Sequence, residues 1–333
     1  MRYLPAVILA SFCLLSCDKR ELPVKPYQPE EEVVIPGHEP GPLLTTRVDM
    51  EKDYRNQIWY SLQKDSVISM NLKTDWDLAF ESSPEGWRIM LNGAKAMRAY
   101  RTTASSLTEV QSTGSDFATA SQADMPSGNP DSTAIGNWKE NNPVYIINRG
   151  YGLDGKTLEH YKLKIISEDA ASYTFEYAAL KSTEVLQGTV YKSGEYNYTA
   201  FSFESRRQLT IEPKKTDYDL CFTQYTHLFL DPVMYYQVSG VLHNAYNTRV
   251  ARIPDKDFRQ ITIADTMAYH YETRRDRIGY DWKSFDLNRN LYTVNTRLCY
   301  IIHDSRGVYY KLRFIDFLNA GVPGYPRFEF RRL

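Results

Sequence analysis

Tyr309-Tyr310-Lys311-Leu312-Arg313-Phe314-Ile315 follows Cys299-Tyr300-Ile301-Ile302-His303 across a polar turn, Asp304-Ser305-Arg306-Gly307. Tyr310, Leu312 and Phe314 alternate with Lys311 and Arg313, the period of two expected of a strand with one dry face. The turn is hairpin chemistry, with Gly307 free to take a positive φ. A Gly/Pro corner over 319–326 then leads into Arg327-Phe328-Glu329-Phe330. These last residues predict a three-stranded meander with no room for a helix.

The same stretch occurs earlier in the chain. Val144-Tyr145-Ile146-Ile147, a Gly-rich turn, His160-Tyr161-Lys162-Leu163-Lys164-Ile165 and Thr174-Phe175-Glu176-Tyr177 repeat its order. A second marker behaves likewise: Thr74-Asp75-Trp76-Asp77-Leu78-Ala79-Phe80 returns as Thr216-Asp217-Tyr218-Asp219-Leu220-Cys221-Phe222. Ahead of each lies a matching strand, Tyr60-Ser61-Leu62 and Phe201-Ser202-Phe203. Two markers in one order, twice, predict a tandem duplication with units at 43–188 and 189–333. The period far exceeds that of solenoid repeats, and each unit has ordinary domain size. The predicted fold is all-β, two antiparallel units in tandem.

Composition agrees. The 333 residues include 26 tyrosines and carry a formal charge of −1, which favours strands and leaves no basic field for nucleic acid. Residues 1–16 read as a signal peptide: Arg2, an apolar run too short to span a bilayer, then Leu14-Leu15-Ser16-Cys17. That tetrad has the form of a lipobox, so cleavage before Cys17 and its acylation are expected, and several acyl chains would anchor the chain stably. Residues 17–42, rich in Pro and Glu, read as an extended tether, with the folded part starting near Leu43. Cys221 and Cys299 remain as thiols, either bridged or as two small buried hydrophobes.

Several motifs are weaker than they look. Gly150-Tyr151-Gly152-Leu153-Asp154-Gly155-Lys156-Thr157 fits the P-loop pattern, yet a strand-like alternation follows where a helix is needed. It is read as a hairpin. Asp75/Asp77 and Asp217/Asp219 lie on single strands and cannot straddle a bond as glycosidase carboxylates must; a solvated strand face is the simpler reading. Trp76, Leu78 and Phe80 are expected in the core. Residues 102–142, poor in apolar anchors, read as a mobile loop or as a lid over a pocket. A hairpin is expected around 244–247, and a strand or short helix over 261–272. No metalloprotease, covalent-haem or serine-hydrolase motif is present, and no residue nominates an enzyme.

The markers Asp75-Trp76-Asp77-Leu78-Ala79-Phe80, Tyr309 through Asn319, and Gly324-Tyr325-Pro326-Arg327-Phe328-Glu329-Phe330 resemble the HmuY family, haem-binding lipoproteins of Bacteroidetes. The resemblance implies an all-β fold and haem held by two axial side chains, His or Met, from loops between the markers. It also implies an outer-membrane lipid anchor and a TonB-dependent outer-membrane transporter as partner. The chain departs from the family in its ligands. The first unit offers only Met90, Met97 and Met125 in that interval. In the second, Trp282-Lys283-Ser284-Phe285-Asp286 stands where a ligand belongs. The candidates for haem are therefore Met267 and His270, three positions apart and on one face if that segment is a helical turn, and His243. The expected function is capture of haem or another flat apolar ligand. The alternative is a structural or glycan-binding surface lipoprotein that has lost haem ligation.

Overall fold

A computed structural model describes residues 32–333. The signal peptide, Cys17 and most of the tether lie outside the described residues. Among the described residues no helix is long and apolar enough to cross a membrane.

Nearly all regular structure is antiparallel β, arranged as two bodies of two facing sheets. In the first body a five-stranded sheet runs in the order Leu186–Tyr191, Ser172–Ala179, Tyr161–Glu168, Tyr145–Asn148, Arg98–Arg101. It packs on a four-stranded sheet ordered Arg207–Leu209, Tyr198–Ser202, Leu78–Glu81, Ile89–Leu91. Between them Phe80, Phe175, Tyr177, Phe201 and Phe203 form a ladder of ring contacts. The second body repeats the plan. A six-stranded sheet, Leu44–Arg47, Val322–Arg332, Tyr309–Asn319, Cys299–His303, Arg249–Ile253, Tyr271–Glu272, faces Val233–His243, Leu220–Leu230, Asn56–Ser61, Ser66–Leu72. Trp282 stacks on Phe314 at 3.9 Å in that core, beside Tyr60, Phe222 and Phe328.

The sheets do not follow chain order. Leu78–Glu81 pairs with Tyr198–Ser202, 120 positions later in register Leu78↔Phe201 onward, whereas Leu220–Leu230 pairs back to Asn56–Ser61. Leu186–Tyr191 closes the first body's large sheet and Leu44–Arg47 the second's. Each amino-terminal hairpin therefore completes the body built mainly from the other stretch of chain.

The markers are held alike in both bodies. Asn92 Nδ2 donates to the carbonyls of Lys73 and Trp76, both at 2.8 Å; Asn244 Nδ2 donates to Lys215 at 2.7 Å and Tyr218 at 2.9 Å. Both asparagines turn the chain from one sheet into the other. The segment around 244–247 is thus a corner, not the tip of a hairpin; Val233–His243 pairs instead with Leu220–Leu230. Lys162 and Lys311, at matching places on their strands, are both buried. Lys162 Nζ reaches the Val110 carbonyl at 2.9 Å, and Lys311 Nζ reaches those of Phe258 and Ile261, each at 2.9 Å.

Asp77 and Asp219 correct the expectation of a solvated face: each precedes its strand and turns inward, 1 % and 0 % exposed. Asp77 accepts from Lys95, from Arg149 Nε at 3.0 Å and from the Phe203 amide at 2.8 Å. Arg306 reaches Asp219 at 2.7 Å from the matching turn. A buried carboxylate held by cations and an amide keeps its charge compensated, which a lone aspartate there would not.

Three further expectations change. Residues 102–142 are not a free loop: Leu107, Val110 and Phe117 cover the outer face of the five-stranded sheet, and Ile135 and Trp138 enter the core. The corner expected at 319–326 shrinks to Ala320-Gly321, and Val322–Arg332 is one strand. Pro323 is tolerated because the neighbouring chain makes its last backbone bond at Gly324, from the Met50 N–H at 2.9 Å, leaving the proline on an edge. Residues 32–41 already contact the second body, Glu32 with Arg331 and the Gly41 amide with the Arg332 carbonyl at 2.9 Å. The segment 150–157 is a hairpin loop closed by the Tyr151↔Thr157 bridge, with Lys156 exposed.

Candidate ligand-binding cleft

The strand Asn56–Ser61 is buried along its whole length. One face of a sheet strand packs in its own core, so the other must be covered too. It is covered by the other body. The two four-stranded sheets turn their outer faces toward each other, and a cleft opens between them.

Its walls come from matched positions of the two marker segments: Gln57 with Tyr198, Trp59 with Ala200, Ala79 with Cys221, Met90 with Leu242. Trp76 joins them, half-buried on the cleft instead of in the core. The far end is closed by 124–128 of the long covering segment and by Arg275. The lid alternative for 102–142 thus describes a small part of it. The Leu220–Leu230 and Val233–His243 hairpin fixes the two bodies together: Thr226 Oγ1 donates to the Gly93 carbonyl at 3.0 Å and Gln237 Nε2 to that of Ala94 at 2.7 Å.

The cleft is apolar with a polar floor. Glu212 accepts from Tyr218 Oη at 2.5 Å and from Asn197, and burial raises its carboxyl above the ordinary range. Asp124 accepts the amides of Leu91 and Ala134, each at 2.7 Å; burial outweighs those donors and pushes it up to about 7. Burial also holds the Cys221 thiol at about 12, where it is unreactive. Cys221 and Cys299 are both free and buried, as two small hydrophobes.

The residues nominated from the sequence fall elsewhere. His243 is fully buried; Nδ1 lies 2.8 Å from the Asn244 carbonyl and Nε2 2.9 Å from that of Arg274. Burial lowers it to about 4 against these two carbonyls, only one of which a neutral ring can satisfy, and both ring nitrogens are turned to backbone. Met267 is 89 % exposed at the end of a short 3-10 turn, and His270 is exposed three residues on. None of the three lines the cleft. Two of the methionines noted in the first unit, Met90 and Met125, do; Met97 is in the core. At the position of the absent second ligand, Lys283 is buried, with Nζ donating to the Ser239 carbonyl at 2.5 Å. Among the described residues no group of His, Cys, Asp and Glu could hold a bare metal ion.

The family model of the HmuY protein matches residues 53–330. The chain belongs to the HmuY family. Solved structures similar to this HmuY-family chain include the apo HmuY analogue TFO of Tannerella forsythia, 9% identical, covering 89% of this chain and 98% of that one, TM-score 0.32. Another is apo PinO from Porphyromonas gingivitis, at 8% identity, 88% and 97% coverage and TM-score 0.30. A third, from Bacteroides vulgatus, is described as HmuY-like and heme binding, with 11% identity, 86% and 90% coverage and TM-score 0.24. Overlays this loose carry no argument; membership rests on the family model. No curated protein matches the chain.

Proposed function

We propose that this HmuY-family protein is a non-enzymatic, lipid-anchored binding protein of the outer membrane that captures haem, or a ligand equally flat and apolar, in the cleft between its bodies. The observation that carries the reading is the cleft's lining: the indoles of Trp59 and Trp76, two thioethers, and one guanidinium. Aromatic faces suit a planar macrocycle, thioethers are haem ligands, and a cation suits its acidic substituents. Met90 and Met125 are the groups that would face an iron. The family's implied transporter partner would receive the ligand at the membrane.

Titration of the purified protein with haemin tests this. A Soret shift is expected, weakened or altered by Met90→Ala and by Met125→Ala and left intact by the double variant Met267→Ala/His270→Ala. A shift abolished only by the latter pair would move the site to the exposed turn. No shift at all would sink the haem reading and leave the structural or glycan-binding alternative.

A further inference from the structure

Arg275 enters the cleft from the segment between Tyr271–Glu272 and Lys283–Asp286, and its stem is fixed on three sides. Its backbone N–H donates to the Ser127 carbonyl at 2.8 Å, and its Nε to that of His243 at 3.2 Å. Its methylenes run beneath Gly128, where an added Cβ would stand 2.5 Å from Cδ. Gly128 also has φ +71°, so the covering segment closes over the arginine only with glycine there. The Tyr198 ring lies 5.9 Å from the guanidinium carbon.

The far edge of the guanidinium is uncommitted. The bond from Nε is the one its side chain makes among the described residues. Glu212 acts on it through space, yet the Glu212 carboxylate is taken by Tyr218 and Asn197. The outer N–H groups of the half-buried guanidinium open onto the cleft, and a carboxylate matches that planar pair of donors in geometry and charge.

We propose that Arg275 determines the specificity of the cleft by receiving a carboxylate borne on the edge of the flat ligand. This rests on the reading of the cleft as the ligand site. Burial raises the carboxyls of both acidic neighbours, Asp124 and Glu212, which eases their competition with an incoming anion.

Metal-free protoporphyrin IX and its dimethyl ester differ only in their free carboxylates, and their fluorescence reports binding to the folded full chain without any iron. Wild type is expected to prefer the diacid. Arg275→Gln should weaken the diacid by about tenfold or more, the scale of a charged hydrogen bond, and leave the ester unchanged. Arg275→Lys should keep part of the preference and serves if the glutamine variant does not fold. An arginine acting only as counter-ion to Glu212 would, when removed, weaken both probes alike; that result overturns the proposal. Equal binding of both probes to wild type also overturns it while leaving the cleft reading standing. Binding of neither overturns both.

Discussion

The carboxylate of Asp219 receives the backbone N–H of Leu62 at 2.7 Å, across 157 positions of chain. In the other body Asp77 receives the amide of Phe203 at 2.8 Å. Each aspartate heads a marker strand, and each amide follows the aromatic strand paired beside it. The two bonds stitch each borrowed hairpin to the body that holds it.

Asp219→Ala removes the acceptor and one partner of Arg306, leaving a buried amide unpaired. The expected loss is about 3–5 kcal/mol, the usual cost of breaking a buried ion pair from one side. Asp77→Ala should cost at least as much, because Lys95 and Arg149 both converge on that carboxylate. Urea unfolding of the two variants beside wild type measures this. A midpoint unchanged in either would show that the amide finds another acceptor.

Residues 181–185 form a turn, largely exposed, between Ser172–Ala179 and Leu186–Tyr191. A protease site placed between Thr183 and Glu184 cuts the chain between its two large stretches of strands. Because each fragment lends strands to the other's sheets, the cut pieces should elute together in native size exclusion and part only in denaturant. Separation without denaturant would mean that the borrowed hairpins contribute little to either body.

Two buried bases contribute to the dependence of stability on pH, and buried Asp124, raised from 3.8 to about 7, opposes the first of them over the same window. His243 is lowered from 6.5 to about 4 by burial, so the unfolded chain binds the extra proton between those values. This group's contribution is therefore full above 6.5 and falls as pH drops through the window, by about 3 kcal/mol. Lys283 is lowered from 10.5 to about 7, again by burial, so its contribution rises from pH 7 to 10.5. Lys283→Met should raise the melting temperature at pH 6 and lose that advantage by pH 10. A gain that stays constant with pH would argue that packing, and not charge, is the cause.

Much of this was legible in the chain. Tyr310, Leu312 and Phe314 are buried on one face as their alternation requires, and the Asp304–Gly307 turn closes as read, with Gly307 at φ +81°. The pairing of Asn56–Ser61 with a strand far downstream was hidden, because alternation fixes which face is dry and is silent on which neighbour supplies the edge. One signal for the cleft was available. Ile58-Trp59-Tyr60 and Leu78-Ala79-Phe80 are unbroken apolar runs, the mark of strands covered on both faces. Arg275, Glu212 and Asp124 had no such mark. They stand in unrelated segments, and only the packing of one body on the other gathers them. The nominations of Met267, His270 and His243 rested on residue chemistry and local spacing, which say nothing about exposure or about nitrogens already occupied by backbone.

The strand Leu44–Arg47 finds its mate in Val322–Arg332, nearly the last residues of the chain. A ribosome delivers these in opposite order of need: the earlier strand stays unmatched while residues 48–321 are made. Until its mate arrives, Leu44–Arg47 is an open edge on which another chain can pair.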